Sequence, residues 1–238
     1  MSVYITGDTH GRFYRLEYFC EQMKLSDKDW IIILGDVGLN YYLGKKDVIA
    51  KTELVQIILA KLFCIHGNHE CRPSEELGYH IINYSDECVS GKFWYDERYP
   101  NQFFAIDGEI YKITSGDKTH TVLVCGGAYS VDKYYRIEQG YAWWPDEQPD
   151  EATKKKVMEV AKNNQIDIVL THTCPKRFVP TDLFLSGIDQ STVDNSTEEF
   201  LDELYDGFVE KPAWFFGHFH DDRITKDYTM LCTRIVKL

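Results

Sequence analysis

Apolar positions along the chain fall into short unbroken runs that stop at glycine, and these alternate with stretches of helical spacing. The clearest run, Trp30-Ile31-Ile32-Ile33-Leu34, ends at Gly35-Asp36. Continuous, β-branched and too short for a helix, it predicts a strand buried on both faces of a sheet. The design recurs where Val3–Thr6 runs into Gly7-Asp8-Thr9-His10-Gly11 and Leu62–Ile65 approaches Gly67-Asn68-His69-Glu70. It recurs again where Ala213–Phe216 runs into Gly217-His218-Phe219-His220, and Ile166–Thr171 ends at His172. Thr121–Cys125 stops at Gly126-Gly127-Ala128-Tyr129-Ser130 and is expected at the same edge.

Between the strands, Phe13 to Lys24 carries Phe13, Leu16, Phe19, Cys20 and Met23 at helical spacing. Lys45 to Lys61 does so through Val48, Ile49, Leu54, Ile57 and Ile58. Strand, helix, strand, helix, strand predicts an α/β chain with a parallel βαβ sheet. From Glu75 to Asn101 the pattern weakens and predicts irregular structure with short strands. Asp107-Gly108, between Phe103–Ile106 and Glu109–Ile113, signals a hairpin. Glu151 to Asn163 predicts a helix with Val157, Val160 and Ala161 inward, and Ser196 starts another that should run to about Tyr205. Arg223 to Val236 predicts a closing hairpin around Lys226-Asp227.

With 238 residues and no Pro/Gly/Ser-rich linker, the chain is expected to be a single domain over 1–238. A formal charge of −12 argues against stable nucleic-acid binding and against anionic membranes. The seven cysteines form no Cys-x-x-Cys pair, which speaks against a disulfide framework or a zinc–thiolate site. No leader-like segment and no apolar span are evident, so the expectation is a cytoplasmic protein without a membrane partner.

Open α/β sheets bind ligands at the carboxyl ends of their strands. Five such ends here deliver two Asp, one Asn and five His, all groups that ligate divalent metals. Asp8-Thr9-His10, Gly35-Asp36 and Asn68-His69 are each ordinary turn or cap residues when taken alone. His218-x-His220 says more, since alternate residues of an extended segment point the same way. Their combination, each cluster following an apolar strand, points to two metals.

The series Asp-x-His, Gly-Asp, Gly-Asn-His-Glu, His, Gly-His-x-His resembles the calcineurin-like metallophosphoesterases, with bacterial or phage members closest in feel. That resemblance implies two packed mixed sheets flanked by helices, an αββα four-layer sandwich. It implies that Asp8, His10, Asp36 and His220 hold one metal and that Asp36, Asn68, His172 and His218 hold the other. His69 would be the unligated catalytic histidine near the leaving group. Two cations can clamp the attacking and leaving oxygens of an in-line displacement. The ligand set suits manganese, iron, zinc or nickel alike. The implied activity is hydrolysis of a phosphomonoester or phosphodiester by direct attack of metal-bound hydroxide.

One block is more particular. Gly126 to Arg136, followed by Trp143-Trp144-Pro145-Asp146-Glu147, reads either as a lid offering Lys133 or Arg136 to a phosphate or as an aromatic loop packing on itself. In the related protein serine/threonine phosphatases the second motif continues Val-Asp-Arg-Gly, whereas here it reads Gly35-Asp36-Val37-Gly38-Leu39-Asn40. The Asp that orients the active-site His and the phosphate-binding Arg are therefore absent from that position, leaving Arg12, Arg72, Arg136 or Arg177 to compensate. The expected partner is a phosphorylated small molecule rather than a protein. The alternatives are a nucleotide or dinucleotide-polyphosphate hydrolase with Trp143-Trp144 stacking on a base, a protein phosphatase, and a metal-holding scaffold that binds a protein. His66 is expected to be a structural histidine with its ring satisfied, His80 and His120 surface or turn residues, and Cys174 a small buried residue.

Overall fold

A computed structural model describes residues 1–184, 187 and 190–238. In chain order the first elements are β1 (Val3–Thr6), α1 (Tyr14–Met23), β2 (Trp30–Ile33), α2 (Lys45–Ile57) and β3 (Lys61–Cys64). Then come β4 (His80–Ser85), β5 (Val89–Tyr95), β6 (Gln102–Ala105), β7 (Ile110–Ser115), β8 (Lys118–Cys125), α3 (Lys133–Glu138) and α4 (Glu151–Asn163). The chain continues through β9 (Ile168–Thr171), α5 (Ser196–Gly207), β10 (Ala213–Phe216), β11 (Arg223–Ile224), β12 (Thr229–Met230) and β13 (Ile235–Lys237). No helix among the described residues is long and apolar enough to cross a membrane.

The strands bond into one mixed sheet, in the order β11-β12-β10-β9-β8-β7-β5-β6-β3-β2-β1-β13 with β4 on β5. The sheet curls until its two limbs face each other. Parallel β1, β2 and β3 make one limb, and parallel β8, β9 and β10 the other. Ile5, Ile32, Leu34 and Phe63 meet Val122, Val124, Ile168 and Leu170 between the limbs. The alternate residues Tyr4, Ile31, Ile33 and Leu62 face outward onto Leu16 and Cys20 of α1 and Leu54 of α2. On the opposite side Leu123 and Val169 pack against Val157 of α4 and Leu201 and Leu204 of α5. Both faces of the central strands are thus dry, which is why their sequences are unbroken apolar runs. The layers are helix, sheet, sheet, helix, with both sheet layers joined through one hydrogen-bonded path.

Four local expectations are corrected. Residues 75–101, expected to be irregular with short strands, do hold strands, but these form a regular antiparallel pair, β4 with β5. The Asp107-Gly108 turn forms, but β6 and β7 do not pair, because β5 lies between them. The start of β5 bonds β7 at Val89 and Ser90, and its end bonds β6 from Phe93 to Tyr95. Tyr111 fills the split, its hydroxyl accepting from Ile106 N at 2.8 Å and donating to Lys92 O at 2.6 Å. Of the apolar face expected for α2 and the residue after it, only Leu54 and Ile58 are buried. Val48, Ile49 and Ile57 are exposed, whereas Asp47, Lys51 and Leu54 are buried. The charged pair is buried because it has partners: Asp47 takes the N–H groups of Tyr42 and Leu43, and Lys51 Nζ reaches Asn40 Oδ1 and Tyr79 Oη. That helix also ends at Ile57, leaving Lys61 to open β3. His80 is exposed on β4, in keeping with a surface residue, and His120 is half-buried on β8.

Candidate metal centre

Because β1, β2 and β3 run parallel, as do β9 and β10, the segments after them all leave the curled sheet on one side. Asp8, His10, Asp36, Asn68, His69, His172, His218 and His220 come together there. His10 Nε2 is 3.0 Å from His220 Nε2 and 3.8 Å from both Asp8 Oδ2 and Asp36 Oδ2. His220 Nε2 lies 3.3 Å from Asp8 Oδ2, and His172 Nε2 lies 3.5 Å from Asp36 Oδ2. Asn68 Oδ1 faces His172 Nε2 at 2.9 Å and His218 Nδ1 at 3.1 Å. Two triads, Asp8-His10-His220 and Asp8-Asp36-His172, each offer ligand atoms within 4.8 Å of one another.

The loops are locked to each other through their backbones. Thr9 and His10 donate N–H to Asp36 O at 3.2 and 2.7 Å, and Thr9 Oγ1 donates to Val37 O at 2.7 Å. His69 N donates to Asp36 Oδ1 at 2.7 Å and His218 N to Asp8 Oδ1 at 3.1 Å. His10, Asp36, His218 and His220 have φ of 46°, 46°, 68° and 53°, in the left-handed region that side chains other than glycine seldom occupy. Such strain persists only where surrounding contacts over-determine it, and it gathers at functional sites. Glycine supplies the remaining room. A Cβ on Gly35 would lie 2.1 Å from His172 Nδ1, and one on Gly67 would lie 2.0 Å from Asp36 Oδ1.

The donor chemistry fits a cation. Asp8 Oδ2 is buried and, among the described residues, has no hydrogen-bond partner, its nearest basic neighbour being His220 Nε2 at 3.3 Å, and an unsatisfied buried carboxylate oxygen is costly. Burial works against charge on Asp36, yet His172, His69 and His10 hold its carboxyl far below the usual carboxylate range. Burial likewise opposes charge on His172, but Asp36 and Asp8 lift it to about 9. The carboxylates therefore set up a field strong enough to keep a proton on a fully buried ring. Burial and the neighbouring His172 push His218 down to about 3, leaving it in the neutral form that ligates metals. His172 Nδ1 is 2.7 Å from Leu34 O, so in the neutral ring the proton sits there and Nε2 turns to the centre.

The model of the calcineurin-like phosphoesterase family matches residues 1–222. The chain belongs to that family. Two solved structures compare with this family member along its length. The crystal structure of TT1561 of Thermus thermophilus is 11% identical, covers 97% of this chain and 87% of its own, and has a TM-score of 0.49. A second crystal structure is 10% identical, covers 97% of this chain and 89% of its own, and shares the fold at a TM-score of 0.50. No curated protein matches the chain.

The arginines and lysine singled out as phosphate contacts each have partners within this calcineurin-like chain. Arg72 donates to Asp107 Oδ2 at 2.6 Å and to Asp146 O at 2.8 Å. Lys133 Nζ sits 4.3 Å over the Trp143 ring. Arg136 is only 2% exposed and donates to Ser130 Oγ at 3.2 Å and to Ala142 O. Arg177 pairs with Asp202 and Asp206, both on α5, at 2.7 and 2.8 Å. His66 is buried, but among the described residues neither ring nitrogen has a hydrogen-bond partner, so its ring is not satisfied as expected. Burial holds it neutral, which lowers the cost of that arrangement.

Three residues that support the site carried no assignment from the sequence. Glu70 accepts from Gly67 N and Val37 N at 3.1 and 3.3 Å and from Gly38 N at 3.1 Å, tying two ligand loops together. Arg15, on α1, donates to Gly7 O and Asp8 O at 2.9 and 2.7 Å. Ser130 Oγ accepts from Asn68 Nδ2 at 2.9 Å. Glu70 and Ser130 lie inside recognisable motifs, whereas Arg15 gives no local signal.

Proposed function

We propose that the chain is a phosphoesterase that works with two divalent metals. Asp8, His10, Asp36 and His220 would hold one ion, and Asp36, Asn68, His172 and His218 the other, with Asp36 common to both. The observation that carries the reading is the buried Asp8 Oδ2, which has no hydrogen-bond partner among the described residues and lies 3.3 and 3.8 Å from the ring nitrogens of His220 and His10, three donors grouped closely enough to share one cation. Bound divalent ions there supply Lewis acidity toward a phosphoryl oxygen and lower the pKa of a coordinated water to about 7. Manganese, iron, zinc and nickel all suit these donors.

The chain's own residues do the remaining work. Leu34 O fixes the His172 ring, and the Asp8 and Asp36 carboxylates supply the negative field. His69 stands half-buried at the rim, its ring edge-on to His10 with centroids 5.5 Å apart. Burial lowers its pKa, with Asp36 opposing and Arg136 adding to the fall. In its protonated form this imidazolium would pass a proton to the departing oxygen and be left neutral, and a lowered pKa makes it a stronger acid for that step though less populated at neutral pH.

The substrate of this reading is a phosphorylated small molecule, taken as a monoester or diester. Base stacking on Trp143 and Trp144 is disfavoured, because Lys133 covers one ring and Tyr41 meets the other edge-on at 5.8 Å. The metal-holding scaffold is disfavoured because His69 and every expected ligand are retained. The test is metal analysis of untagged protein followed by a monoester and diester panel with several metals. Two equivalents of metal and metal-dependent hydrolysis are expected. Protein that takes up no divalent metal would overturn the reading.

A further inference from the structure

We infer that Ser130 is a positioning residue for Asn68, held in place by Arg136 and Glu147. The inference rests on the two-metal reading above. Only the oxygen end of a carboxamide can ligate a cation; a flipped amide turns N–H donors on it. With Asn68 Oδ1 facing His172 and His218, the other end of the group, Nδ2, needs an acceptor, and Ser130 Oγ provides it at 2.9 Å. Asn68 and Ser130 are both 1% exposed, so this contact is shielded from bulk solvent.

The hydroxyl is itself held. Arg136 Nη1 donates to the same oxygen at 3.2 Å, while its other nitrogen reaches Ala142 O. Ser130 N donates to Glu147 Oε1 at 3.2 Å, and Glu147 Oε2 accepts from Trp143 Nε1 at 2.8 Å. Glu147 is 2% exposed. The segment from Gly126 to Glu147 therefore closes on itself and extends one oxygen to a candidate ligand. Arg136 acts through that oxygen, which is a different role from a lid arginine reaching for phosphate.

The test is titration of metal-free protein with Mn2+ alone, read by calorimetry and by the electron paramagnetic resonance of free Mn2+. Partners behind metal ligands are typically worth 10–100-fold in metal affinity, so Ser130→Ala should weaken one ion by roughly that factor and leave the other within about threefold. Ser130→Cys keeps the size of the side chain and only a weak acceptor. It should fold as wild type and weaken the same ion by a smaller factor, which keeps the test open if the alanine variant does not fold. Unchanged affinity for both ions in either folded variant overturns the inference and leaves the two-metal reading standing. Equal loss of both ions with a lowered melting temperature of the metal-free protein also overturns it, in favour of a general structural role. Wild-type protein that binds no Mn2+ removes the two-metal reading and the inference with it.

Discussion

His69 donates its backbone N–H to Asp36 Oδ1 at 2.7 Å, so the proposed proton donor is carried on the carboxylate proposed to serve both ions. Asp36→Ala should accordingly lose both metals and loosen His69 together. His10→Ala, by contrast, should weaken one ion chiefly. Elemental analysis of the two purified variants separates these outcomes, and two metals retained in Asp36→Ala would sink the shared-ligand assignment.

His69→Asn should keep fold and metals while slowing hydrolysis of alkyl phosphates by about 10²–10⁴, the usual worth of a general acid. A nitrophenyl ester, whose leaving group is stable as an anion, should lose less. Some loss there is still expected, since a protonated imidazole also stabilises transition-state charge. The check is kcat on both substrates at equal metal occupancy. An equal fall on both would assign His69 an electrostatic or orienting role.

Gly67→Ala should break the centre, because its Cβ would lie 2.0 Å from Asp36 Oδ1. Overpacking of a fitted site costs about 1–3 kcal/mol, and here the displaced atom belongs to a candidate ligand. Lower metal content and a lower melting temperature are expected. Gly207→Ala, at the end of α5, where an added Cβ would meet no described residue beyond its own helix within 4 Å, is the control and should stay within about 0.5 kcal/mol of wild type. Normal metal content in Gly67→Ala would show that the loops have slack.

Glu198 should make stability fall with rising pH. It is buried on α5, its Oε1 accepts from Thr173 Oγ1 at 2.7 Å, and its Oε2 has no hydrogen-bond partner among the described residues. Burial raises its pKa above the model-compound 4.5. Above about pH 4.5 the unfolded chain therefore releases this proton first, and its contribution destabilises the fold until the folded carboxyl also titrates, after which the penalty is constant. The melting temperature of Glu198→Gln minus that of wild type, both metal-free, should rise with pH and then level. A difference flat across pH 4 to 8 would contradict the burial argument.

The parts of this protein legible from sequence are those that local chemistry decides. Trp30 to Leu34 must be a doubly buried strand because five successive apolar side chains cannot alternate between core and water. Asp8, Asp36, Asn68, His172 and His218 could be listed because each immediately follows such a strand, and parallel strands deliver their ends to one edge. The helices α4 and α5 were legible from spacing and from acidic first turns, with α5 running on to Gly207.

Tertiary structure decided what depends on partners distant in sequence. Lys51 and Asp47 read as surface charge until Asn40, Tyr79 and the Tyr42 and Leu43 amides are seen to satisfy them. Asp107-Gly108 carries a hairpin signal, but whether its flanking strands pair depends on strand order, and β5 takes both places. Arg136 is a cationic residue in a loop by sequence and a buried hydrogen-bond donor by structure. Ser130 reaches Asn68 across 62 residues, a contact that no local preference encodes. Composition and periodicity act through the nearest turns of backbone, whereas the hydrogen bonds of buried polar side chains are set by whichever distant segment the closed fold brings alongside.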